Sequence, residues 1–450
     1  MGKLFGTDGI RGVANEYPLT PEMAMTIGRA VVAIFKSNNN LSKIVIGKDT
    51  RLSGFMIEHA LASGICSMGG EVHLAGTLPT PGVAFLASST DANAGIVISA
   101  SHNPFYDNGI KIFNGDGFKL SDELEAKIEK TALDDQTIAL SKSVRETGRV
   151  RRLDDASQRY KEFLKRVLSE ENPFKGMKIV LDCSNGATCR VAPQLFDELG
   201  AKVESISVQP DGKNINANCG SEHPDKLAQE VMGRKADIGL AFDGDGDRLI
   251  AVDEKGQIVT GDRILAICAK VLKQEGRLKN NLVVSTVMSN LGLRIALKDM
   301  GINHVMTNVG DRYVLEEMLT SGAVIGGEDS GHMIFLDNHT TGDGVLTGIK
   351  LIEAMQKECK TLSELREIIT VFPQVLISVN VQRKPDIQTV PKIVDVVHSV
   401  EKILGQKGRV LVRYSGTQPL CRVMVEGPSK SETQKYCQQI ADVIQSELGK

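Results

Sequence analysis

The 450-residue sequence has no run of apolar residues long enough to span a bilayer. Residues 1–6 (MGKLFG) lack the apolar core of a signal peptide, and Gly6 stands where a myristoylation signal requires Ser or Thr. These absences argue against membrane-spanning, secreted and lipid-anchored proteins. We therefore expect a cytoplasmic protein with no membrane partner.

Paired cysteines and an excess of one charge are also missing. The eight cysteines are scattered, with no CxxC pair and no histidine at metal-ligand spacing, which argues against a disulfide framework and a zinc site. The formal net charge is only −3, whereas a nucleic-acid binder needs a clustered basic face. We expect reduced thiols, no nucleic-acid partner, and anion sites that a few residues build locally.

What is present is the composition of a large globular protein, with 41% hydrophobic and 24% charged residues. Single hydrophobic cores stop growing near ~250–300 residues, so a chain of this length predicts three or four domains. Changes of pattern place the predicted boundaries near residues 150, 255 and 370. The predicted domains are 1–150, 151–254, 255–370 and 371–450.

One predicted order of secondary-structure elements recurs three times in roughly the first four fifths of the chain. It consists of a strand, a helix ending in Gly, a second strand, and a third strand that runs into a polar loop. The third strands and their loops are residues 94–99 with 100–104, 237–242 with 243–248, and 323–326 with 327–332. This pattern predicts α/β domains with mixed, largely parallel sheets. Because ligands bind beyond the carboxyl ends of such strands, we expect the loops to line a shared cleft.

The pattern changes after about residue 370 to that of a small α+β domain. Its predicted elements are a strand at 375–379, a helix near 390–404, paired strands at 409–413 and 421–426, and a final amphipathic helix. The link between the paired strands (YSGTQP) is rich in small and hydroxyl residues and follows Arg413. That composition suits a phosphate held by backbone N–H groups and a guanidinium.

Three aspartates, Asp243, Asp245 and Asp247, alternate with glycine directly after an apolar strand. Carboxylates crowded on one short turn repel each other unless a cation lies among them. An acidic surface turn and an EF-hand loop are the alternatives, although no flanking helix pair is evident for the latter. Hard oxygen ligands with positions left open for a phosphate oxygen favour Mg²⁺ over calcium.

Ser101 follows another apolar strand, in the segment ISASHNP at residues 98–104. Asn103-Pro104 forces a turn directly afterwards, so the hydroxyl is expected to face the cleft. An ST-turn or a helix cap is the alternative by base rate. A hydrolase dyad with His102 is a third reading, but adjacent residues rarely point at each other and no Gly-x-Ser-x-Gly elbow is present.

Further polar residues lie near these loops. Cations that are able to offset phosphate charge, or that are merely solvated surface groups, are Arg11, Lys111 and Arg248. Groups of the third loop that suit sugar hydroxyls, or that only cap a helix, are Glu328, Ser330 and His332.

Residues, spacing and chain order together resemble the α-D-phosphohexomutases over nearly the whole chain. The serine loop and the aspartate-glycine loop carry this resemblance most specifically. The matching segments are FGTDGIRG (5–12), GKDTRLSG (47–54), ISASHNPFYDNG (98–109), DGDGDR (243–248), GDRYV (310–314) and TGDG (341–344). Within the superfamily the sequence looks most similar to the bacterial phosphoglucosamine mutases, to which NIN (214–216) and GS (220–221) point less firmly.

The resemblance implies three related α/β domains and a smaller C-terminal α+β domain around a central cleft. It implies an intramolecular phosphotransferase of the isomerase class, which interconverts glucosamine 6-phosphate and glucosamine 1-phosphate through a phosphoserine and a 1,6-bisphosphate. The product would feed UDP-N-acetylglucosamine and peptidoglycan precursor synthesis. Alternatives are a phosphomannomutase or phosphoglucomutase, a metal-dependent sugar phosphatase, and a catalytically silent sugar-phosphate sensor. A homodimer is the candidate assembly.

The resemblance also implies roles for residues in the matching motifs. The phosphoryl carrier would be Ser101, and one Mg²⁺ per chain would be held by Ser101, Asp243, Asp245 and Asp247. Proton transfer and charge neutralisation would involve Lys111, His102, Arg11 and Arg248. The sugar would be bound by Glu328, Ser330 and His332. The phosphate that does not react would be anchored by Arg413, Ser415, Gly416 and Thr417, with Arg422 nearby. A bisphosphosugar would be the activator and intermediate.

Two positions depart from the loops expected of this superfamily. Asp329 stands where Gln or Asn is expected before Ser-Gly-His, and Gln418 stands where Glu is expected before Pro. Gln418 removes one negative charge beside the predicted phosphate site, which leaves anion binding intact. Asp329 is expected to affect recognition of a sugar hydroxyl or amine, so the sugar preference is the prediction that these departures touch.

Overall fold

Apolar runs and amphipathic segments alternate along the chain, and they form strands and helices around four sheets. The computed structural model describes residues 4–6, 8–35, 42–134, 146–168, 172–415 and 419–449. The chain divides into two compact units, the first comprising Met1–Val287 with Asn303–Glu367 and the second Met288–Ile302 with Ile368–Lys450. Three sheets belong to the first unit and one belongs to the second.

The first sheet has seven strands in the order β1-β2-β6-β5-β3-β4-β7. These strands are β1 (Phe5–Gly6), β2 (Gly9–Val13), β3 (Lys43–Lys48), β4 (Glu71–Thr77), β5 (Ala94–Ile98), β6 (Asp107–Asn114) and β7 (Val150–Arg152). The accompanying helices are α1 (Pro21–Phe35), α2 (Gly54–Ser67), α3 (Thr80–Ser89) and α4 (Asp122–Ala132).

The second sheet has five strands in the order β12-β11-β10-β8-β9. These strands are β8 (Lys178–Asp182), β9 (Lys202–Ile206), β10 (Ile238–Phe242), β11 (Leu249–Asp253) and β12 (Ile258–Val259). The helices of this part of the chain are α5 (Ala156–Lys165), a 3₁₀ turn at Ala187–Arg190, α6 (Ala192–Glu198) and α7 (Asp225–Arg234).

The third sheet has four strands in the order β14-β13-β15-β16. These strands are β13 (Leu282–Thr286), β14 (Asn303–Thr307), β15 (Ile325–Gly327) and β16 (Met333–Phe335). The helices that accompany it in the first unit are α8 (Gly261–Gln274), α10 (Asp311–Ser321), α11 (Gly344–Glu358) and α12 (Leu362–Leu365), with 3₁₀ turns at Lys279–Asn281 and Arg366–Ile368. The helix between β13 and β14, α9 (Leu291–Asp299), groups with the second unit.

The three sheets share one core topology. In each, a first strand (β3, β8 or β13) pairs in parallel with a second strand (β4, β9 or β14) and with a third (β5, β10 or β15). The third strand then pairs in antiparallel orientation with a fourth strand (β6, β11 or β16). The threefold repeat and the mixed sheets are therefore confirmed. The predicted repeat did not include the fourth strand, which begins soon after each polar loop.

Local sequence explains why these segments form these elements. All residues of β5 (AGIVI) and β10 (IGLAF) are buried, and strands covered on both faces read as continuous apolar runs rather than as alternating ones. Gly69 and Gly200, which follow α2 and α6, have φ of +81° and +90°. Only glycine adopts this left-handed conformation without strain, so both end their helices.

The second unit has an antiparallel sheet in the order β17-β19-β18. Its strands are β17 (Gln374–Asn380), β18 (Arg409–Tyr414) and β19 (Leu420–Glu426), and its helices are α9, α13 (Pro391–Leu404) and α14 (Lys430–Leu448), with 3₁₀ turns at Ile387–Thr389 and Gly405–Lys407. The core lies on one face of the sheet, where Val423 and Val425 pack with Val400 of α13 and Ile440 of α14. The predicted C-terminal strands and helices correspond to these elements.

Helix α9 is tied to the C-terminal sheet by a buried carboxylate. Glu426 is fully buried, and it accepts hydrogen bonds from Leu291 N at 2.9 Å and from Arg409 Nε at 2.6 Å. A carboxylate at a helix N-terminus satisfies free N–H groups and the helix dipole. This contact explains why residues 288–302 group with the second unit, although the predicted boundaries of 150, 254 and 370 themselves stay predictions.

Among the described residues, no helix is both long enough and apolar enough to cross a membrane.

Candidate active site

The three predicted loops meet at the carboxyl ends of equivalent strands. Ser101 lies beyond β5, the aspartate loop beyond β10, and Glu328 beyond β15. The Ser101 hydroxyl donates a hydrogen bond to Asp243 Oδ2 at 2.6 Å. Arg248 and His332 form an antiparallel bridge that joins the second loop to the third. The topology therefore brings residues that are more than 200 positions apart in sequence into one site within the first unit.

Ser101 has a backbone conformation that its neighbours impose. Its φ is +52°, a left-handed value that costs free energy for a residue with a side chain. Arg51 Nη2 donates to the carbonyls of Ser101 and Asn103, at 3.1 and 2.6 Å. Asn216 Nδ2 donates to the same two carbonyls, at 2.9 and 3.0 Å. Four hydrogen bonds thus hold the loop so that the serine hydroxyl points at Asp243.

His102 lies within hydrogen-bond distance of the serine hydroxyl, which also faces Asp243. Its Nδ1 is 3.3 Å from Ser101 Oγ, whereas the carboxylate of Asp243 is closer. Burial and the charge of Arg248 lower the pKa of His102. The imidazole is therefore neutral near pH 7 and is able to accept a proton.

The three aspartates form a buried carboxylate cluster. Asp243, Asp245 and Asp247 are 1%, 1% and 3% exposed, and one oxygen from each lies within 4.8 Å of the others. The Oδ1 atoms of Asp245 and Asp247 are buried and have no hydrogen-bond partner in the described part of the chain. Buried carboxylate oxygens without partners are costly, and three clustered carboxylates, two of which have such an oxygen, fit a divalent cation.

Burial also decides between the alternative readings of this loop. An acidic surface turn is excluded because the three side chains are inaccessible. An EF-hand is excluded because strand β11 follows the loop directly. Glu254, which stands at the twelfth position counted from Asp243, accepts a hydrogen bond from Ser363 N at 3.2 Å instead of facing the cluster.

Lys111 neutralises part of this negative charge. It is 2% exposed, and its Nζ lies 2.9 Å from Asp245 Oδ2, 3.1 Å from Asp8 Oδ2 and 3.3 Å from Asp247 Oδ2. Burial disfavours the ammonium, yet these carboxylates raise the pKa of Lys111 well above its usual value. The lysine is therefore charged and forms ion pairs inside the cluster. It is not a solvated surface cation.

Repulsion among the aspartates appears in their pKa values. Burial raises the pKa of Asp243 well above its usual range, and the charges of Asp247 and Asp245 act in the same direction. Burial acts likewise on Asp247, but Lys111 and His332 hold the pKa of that carboxyl well below its usual range. Asp243 and Asp247 thus differ in their affinity for protons because their cationic neighbours differ.

The two predicted arginines line the site with partly exposed side chains, at 27% for Arg11 and 19% for Arg248. Arg11 pairs with Asp8 and donates to the carbonyl of Ala100 at 3.4 Å. The guanidinium of Arg248 lies 3.7 Å from Glu222 Oε1. Because both remain accessible and positively charged, both are able to meet an anionic ligand.

The structure separates the three predicted sugar residues of the third loop. Glu328 Oε1 accepts a hydrogen bond from Gly310 N at 3.1 Å, and the buried Ser330 Oγ has no partner among the described residues. His332 instead lies against the metal loop, with Nδ1 3.7 Å from Asp247 Oδ2 and Nε2 3.5 Å from Asp311 Oδ2. Burial opposes its charge, but Asp247 and Asp311 raise the pKa of His332.

Asp329, the unusual residue of this loop, holds the loop to helix α8. Its Oδ1 accepts from Asp262 N at 3.1 Å and its carbonyl accepts from Gly261 N at 3.0 Å. A carboxylate at this position satisfies the free N–H groups of the helix start. An influence of Asp329 on a sugar would therefore pass through the position of Glu328 and Ser330.

The predicted phosphate residues belong to the second unit. Arg413 and Arg422 are direct partners across β18 and β19, and burial together with the charge of Arg422 lowers the pKa of Arg413. Ser415 N donates to Leu420 O at 2.9 Å, and Ser415 O accepts from Lys384 Nζ at 2.6 Å. Like charges directly opposite each other destabilise a sheet unless an anion lies between them. Gly416, Thr417 and Gln418 lie outside the described residues.

Several site residues are not predictable from the sequence because their role depends on partners that are distant along the chain. Asp8, Lys119 and Asp311 form an ionic chain next to Lys111, with Lys119 Nζ 2.6 Å from Asp8 Oδ1 and also paired with Asp311. Burial opposes the charge on Asp8, yet Lys111 and Lys119 hold the pKa of its carboxyl well below its usual range. Asp8 and Asp311 lie in the segments at residues 5–12 and 310–314, which resemble those of the superfamily. That resemblance is the sequence feature that could have marked them as site residues.

Comparison with known proteins agrees with this geometry. Models of the phosphoglucomutase/phosphomannomutase α/β/α domains I, II and III match residues 2–138, 158–256 and 260–372, and the model of the C-terminal domain matches residues 376–443. The chain belongs to the phosphoglucomutase/phosphomannomutase family. Membership in this family makes it an intramolecular phosphotransferase with a multi-domain α/β fold, as the resemblance implied.

Similar members of the phosphoglucomutase/phosphomannomutase family carry a common name. The phosphoglucosamine mutase of Syntrophus aciditrophicus (strain SB) is 62% identical over 449 residues, and that of Syntrophobacter fumaroxidans (strain DSM 10017 / MPOB) is 58% identical over 449 residues. Each alignment covers 100% of both chains.

Solved structures of the family show the same fold. A phosphoglucomutase/phosphomannomutase family protein from Burkholderia thailandensis has a TM-score of 0.80 at 25% identity, covering 98% of this chain and 97% of its own. An Aspergillus fumigatus N-acetylphosphoglucosamine mutase, in complex with GlcNAc-6P and magnesium, has a TM-score of 0.67 at 18% identity, covering 98% and 95%.

Proposed function

We propose that this protein interconverts glucosamine 6-phosphate and glucosamine 1-phosphate through a phosphorylated Ser101. The observation that carries the proposal is the 2.6 Å hydrogen bond from Ser101 Oγ to Asp243, within a buried cluster of three aspartates. A hydroxyl fixed next to a metal-binding loop and several cations suits phosphoryl transfer, in which positioning and charge neutralisation supply most of the catalysis. High-identity relatives named phosphoglucosamine mutase support the amino sugar.

The metal proposed for the loop is one Mg²⁺ per chain. Asp243, Asp245, Asp247 and an oxygen of phosphorylated Ser101 would hold it, and the two unpartnered Oδ1 atoms support this assignment. When bound, Mg²⁺ would draw charge from the phosphoryl oxygens. Lys111 carries part of the neutralisation without the metal, because its ammonium contacts two of the three aspartates.

The proposed reaction moves one phosphoryl group in each half. A sugar hydroxyl attacks phosphorylated Ser101, the bond from phosphorus to Ser101 Oγ breaks, and a bond from phosphorus to the sugar oxygen forms. The proton of that hydroxyl is delivered to the departing Ser101 Oγ through His102, which is neutral and 3.3 Å from Ser101 Oγ. The resulting 1,6-bisphosphate turns over, Ser101 Oγ attacks its other phosphoryl group, and the serine proton returns through His102 to the sugar oxygen that is released.

The remaining residues would bind the sugar phosphate. Arg11 and Arg248 are partly exposed beside the serine loop and would offset phosphate charge. Glu328 and Ser330 would bind sugar hydroxyls, while the contacts of His332 favour a role in supporting Asp247. Arg413 and Arg422, with Ser415 and the loop that contains Gly416 and Thr417, would anchor the phosphate that does not react.

The decisive assay follows glucosamine 1-phosphate formation from glucosamine 6-phosphate, with Mg²⁺ and glucosamine 1,6-bisphosphate present. We expect Ser101→Ala to reduce kcat by about 10³-fold or more, because a covalent carrier cannot be replaced by a methyl group. Intact-mass analysis should show a phosphate-sized gain after incubation with the bisphosphate, in the wild type only. Full turnover by Ser101→Ala would disprove the proposed carrier.

The same assay separates the rival activities. Relative kcat/KM for glucosamine, glucose and mannose 6-phosphates distinguishes a phosphoglucosamine mutase from a phosphoglucomutase or phosphomannomutase. Release of inorganic phosphate equal to substrate loss would indicate a phosphatase. Ser101 is 1% exposed, and a buried phosphoryl carrier disfavours transfer to water.

Two further proposals concern the protein in the cell. A cytoplasmic location is supported by eight cysteines that are all free thiols, since reducing compartments maintain that state. A homodimer is the proposed assembly, and analytical ultracentrifugation tests it. A single species with the mass of one chain would contradict the dimer.

A further inference from the structure

The backbone of the metal loop is held by the starts of three helical segments. Ala187 N donates to Gly244 O at 2.8 Å, Thr80 N donates to Asp245 O at 2.8 Å, and Gly344 N donates to Gly246 O at 3.0 Å. Ala187 begins the 3₁₀ turn Ala187–Arg190, Thr80 begins α3, and Gly344 begins α11. N–H groups in the first turn of a helix have no partner inside that helix. Each of the three consecutive loop carbonyls accepts a hydrogen bond from one such N–H group. The three donors come from the parts of the chain that contain the first, second and third sheets.

Thr80 adds a side-chain contact to this backbone arrangement. Thr80 is fully buried, and its Oγ1 donates to Asp245 Oδ2 at 2.6 Å. Lys111 Nζ donates to the same oxygen at 2.9 Å. With Oδ2 occupied by two donors, the other oxygen, Oδ1, is buried and has no hydrogen-bond partner among the residues that the structure describes.

We propose that Thr80 is a positioning residue that orients the Asp245 carboxylate for metal binding. Groups that hydrogen-bond to a metal ligand fix its orientation and are worth about 10–100-fold in metal affinity. The inference rests on the proposed metal site at residues 243–247. It goes beyond that site by assigning a role to a residue 165 positions away in sequence.

The local sequence makes Thr80 suitable for this role. Pro79 and Pro81 flank it, and proline rings fix the backbone angle φ on both sides. Threonine is β-branched, so its χ1 has few accessible values. A hydroxyl on a rigid helix start therefore holds the carboxylate with little loss of entropy, whereas the long side chain of Lys111 supplies charge but less geometric restraint.

The experiment measures binding of Mn²⁺ alone to the full-length, dephosphorylated protein by electron paramagnetic resonance. Thr80→Val keeps the shape and removes the hydroxyl, and we expect its Kd to rise about 10–100-fold. Thr80→Ser restores the hydroxyl and should return the Kd close to that of the wild type. Saturating Mg²⁺ should largely recover the mutase rate of Thr80→Val, since the loss lies in affinity.

Thr188→Val is the matched control. Thr188 is equally buried and packs on the same loop, since a Cβ added to Gly246 would lie 2.6 Å from Thr188 Cγ2. The described contacts include no hydrogen bond from its Oγ1 to the metal loop, and this hydroxyl neighbours the buried thiol of Cys183 instead. We expect Thr188→Val to bind Mn²⁺ as the wild type does.

Each outcome is informative. If the wild type binds no Mn²⁺, the proposed metal site is wrong. If the wild type binds and Thr80→Val binds equally well, or if Thr188→Val is weakened as much as Thr80→Val, the role of Thr80 is wrong. Thermal unfolding without metal reports whether Thr80→Val folds, and Thr80→Ala replaces it in the comparison with Thr80→Ser if it does not.

Discussion

His339 is a buried imidazole whose two nitrogens are both engaged. Its Nε2 lies 2.9 Å from Pro81 O, and its Nδ1 accepts from Thr340 N at 2.7 Å. The ring also packs edge-on against Phe163. Accepting a hydrogen bond through Nδ1 requires the neutral ring, and burial lowers the pKa of His339 to about 4. Protonation of Nδ1 therefore breaks the hydrogen bond from Thr340 N, while Nε2–H still donates to Pro81 O.

The first prediction concerns stability against pH. The folded-state pKa of about 4 lies below the unfolded value of 6.5, so His339 costs no stability above pH 6.5. As the pH falls from 6.5 towards 4, His339 binds a proton in the unfolded chain but stays neutral in the folded chain. Stability should then fall by about 1.4 kcal/mol per pH unit from this group.

Thermal unfolding midpoints from pH 7 to pH 4.5 measure this effect. His339→Gln has no titrating group, and its midpoint should decline less steeply with acid than that of the wild type. His59→Gln, at an exposed position, is the control and should follow the wild type. Parallel curves for all three proteins would show that His339 does not titrate as described.

The serine loop shows how short segments from separate sheets fix one functional conformation. Arg51 follows β3 of the first sheet, and Asn216 lies in the long connection after β9 of the second. Both donate to the same two carbonyls, those of Ser101 and Asn103. Neither donor touches the serine hydroxyl, so both act on the reaction only through the loop.

The second prediction is that Asn216→Asp impairs the chemical step. Asp has the shape of Asn but offers a carboxylate oxygen to two carbonyl oxygens, so attraction becomes repulsion. A displacement of about 1 Å at a reacting group can cost about 10²-fold in rate, and we expect that loss in kcat. KM should change little, because Asn216 is proposed to position the loop and not to bind sugar.

Steady-state kinetics and the rate of Ser101 phosphorylation by the bisphosphate test this expectation. Asn218→Asp introduces the same charge two residues away at an exposed position, and it should leave both rates unchanged. An effect of equal size in the two variants would indicate a general effect of the added charge. It would contradict the proposed role of Asn216 in holding the serine loop.

The two units carry different parts of the predicted chemistry. Ser101, the aspartate loop and Lys111 belong to the first unit, and Arg413, Ser415 and Arg422 belong to the second. In the second unit the two arginines face each other across an antiparallel pair. Such a pair destabilises the sheet by itself, and this supports the proposed role of the two arginines in anchoring a phosphate.

The third prediction follows from that repulsion. Arg413→Met should raise the KM for glucosamine 6-phosphate by about 10–100-fold, because a charge-assisted hydrogen bond contributes about 1.5–3 kcal/mol. The thermal unfolding midpoint without ligand should stay the same or rise, since one of two opposed charges is removed.

Arg383→Met, at an exposed position of the same unit, is the control for loss of a positive charge. It should leave KM unchanged. A lower midpoint for Arg413→Met combined with an unchanged KM would show that this arginine stabilises the fold and does not bind phosphate.

Much of this protein was predictable from local pattern. Continuous apolar runs such as β5 and β10 signal buried strands, and glycine at helix ends marks where each helix stops. The repeated order of these elements placed Ser101, the aspartates and Glu328 at equivalent strand ends. Their residue types then indicated hydroxyl, metal and sugar chemistry, because those properties belong to the residues themselves.

Tertiary structure alone decided which groups meet. Thr80 and Lys111 reach Asp245 across 165 and 134 residues, and Asn216 reaches Ser101 across 115. No local periodicity encodes such pairs, so Lys111 resembled a surface cation and Thr80 was not singled out at all. Burial and neighbouring charges then shifted the pKa values of Lys111, Asp243 and Asp247, and two aspartate oxygens have no hydrogen-bond partner among the described residues. The sequence by itself determined the chemical groups of the site, and folding determined their partners, since hydrogen bonds and charges act over a few ångströms in space and not along the chain.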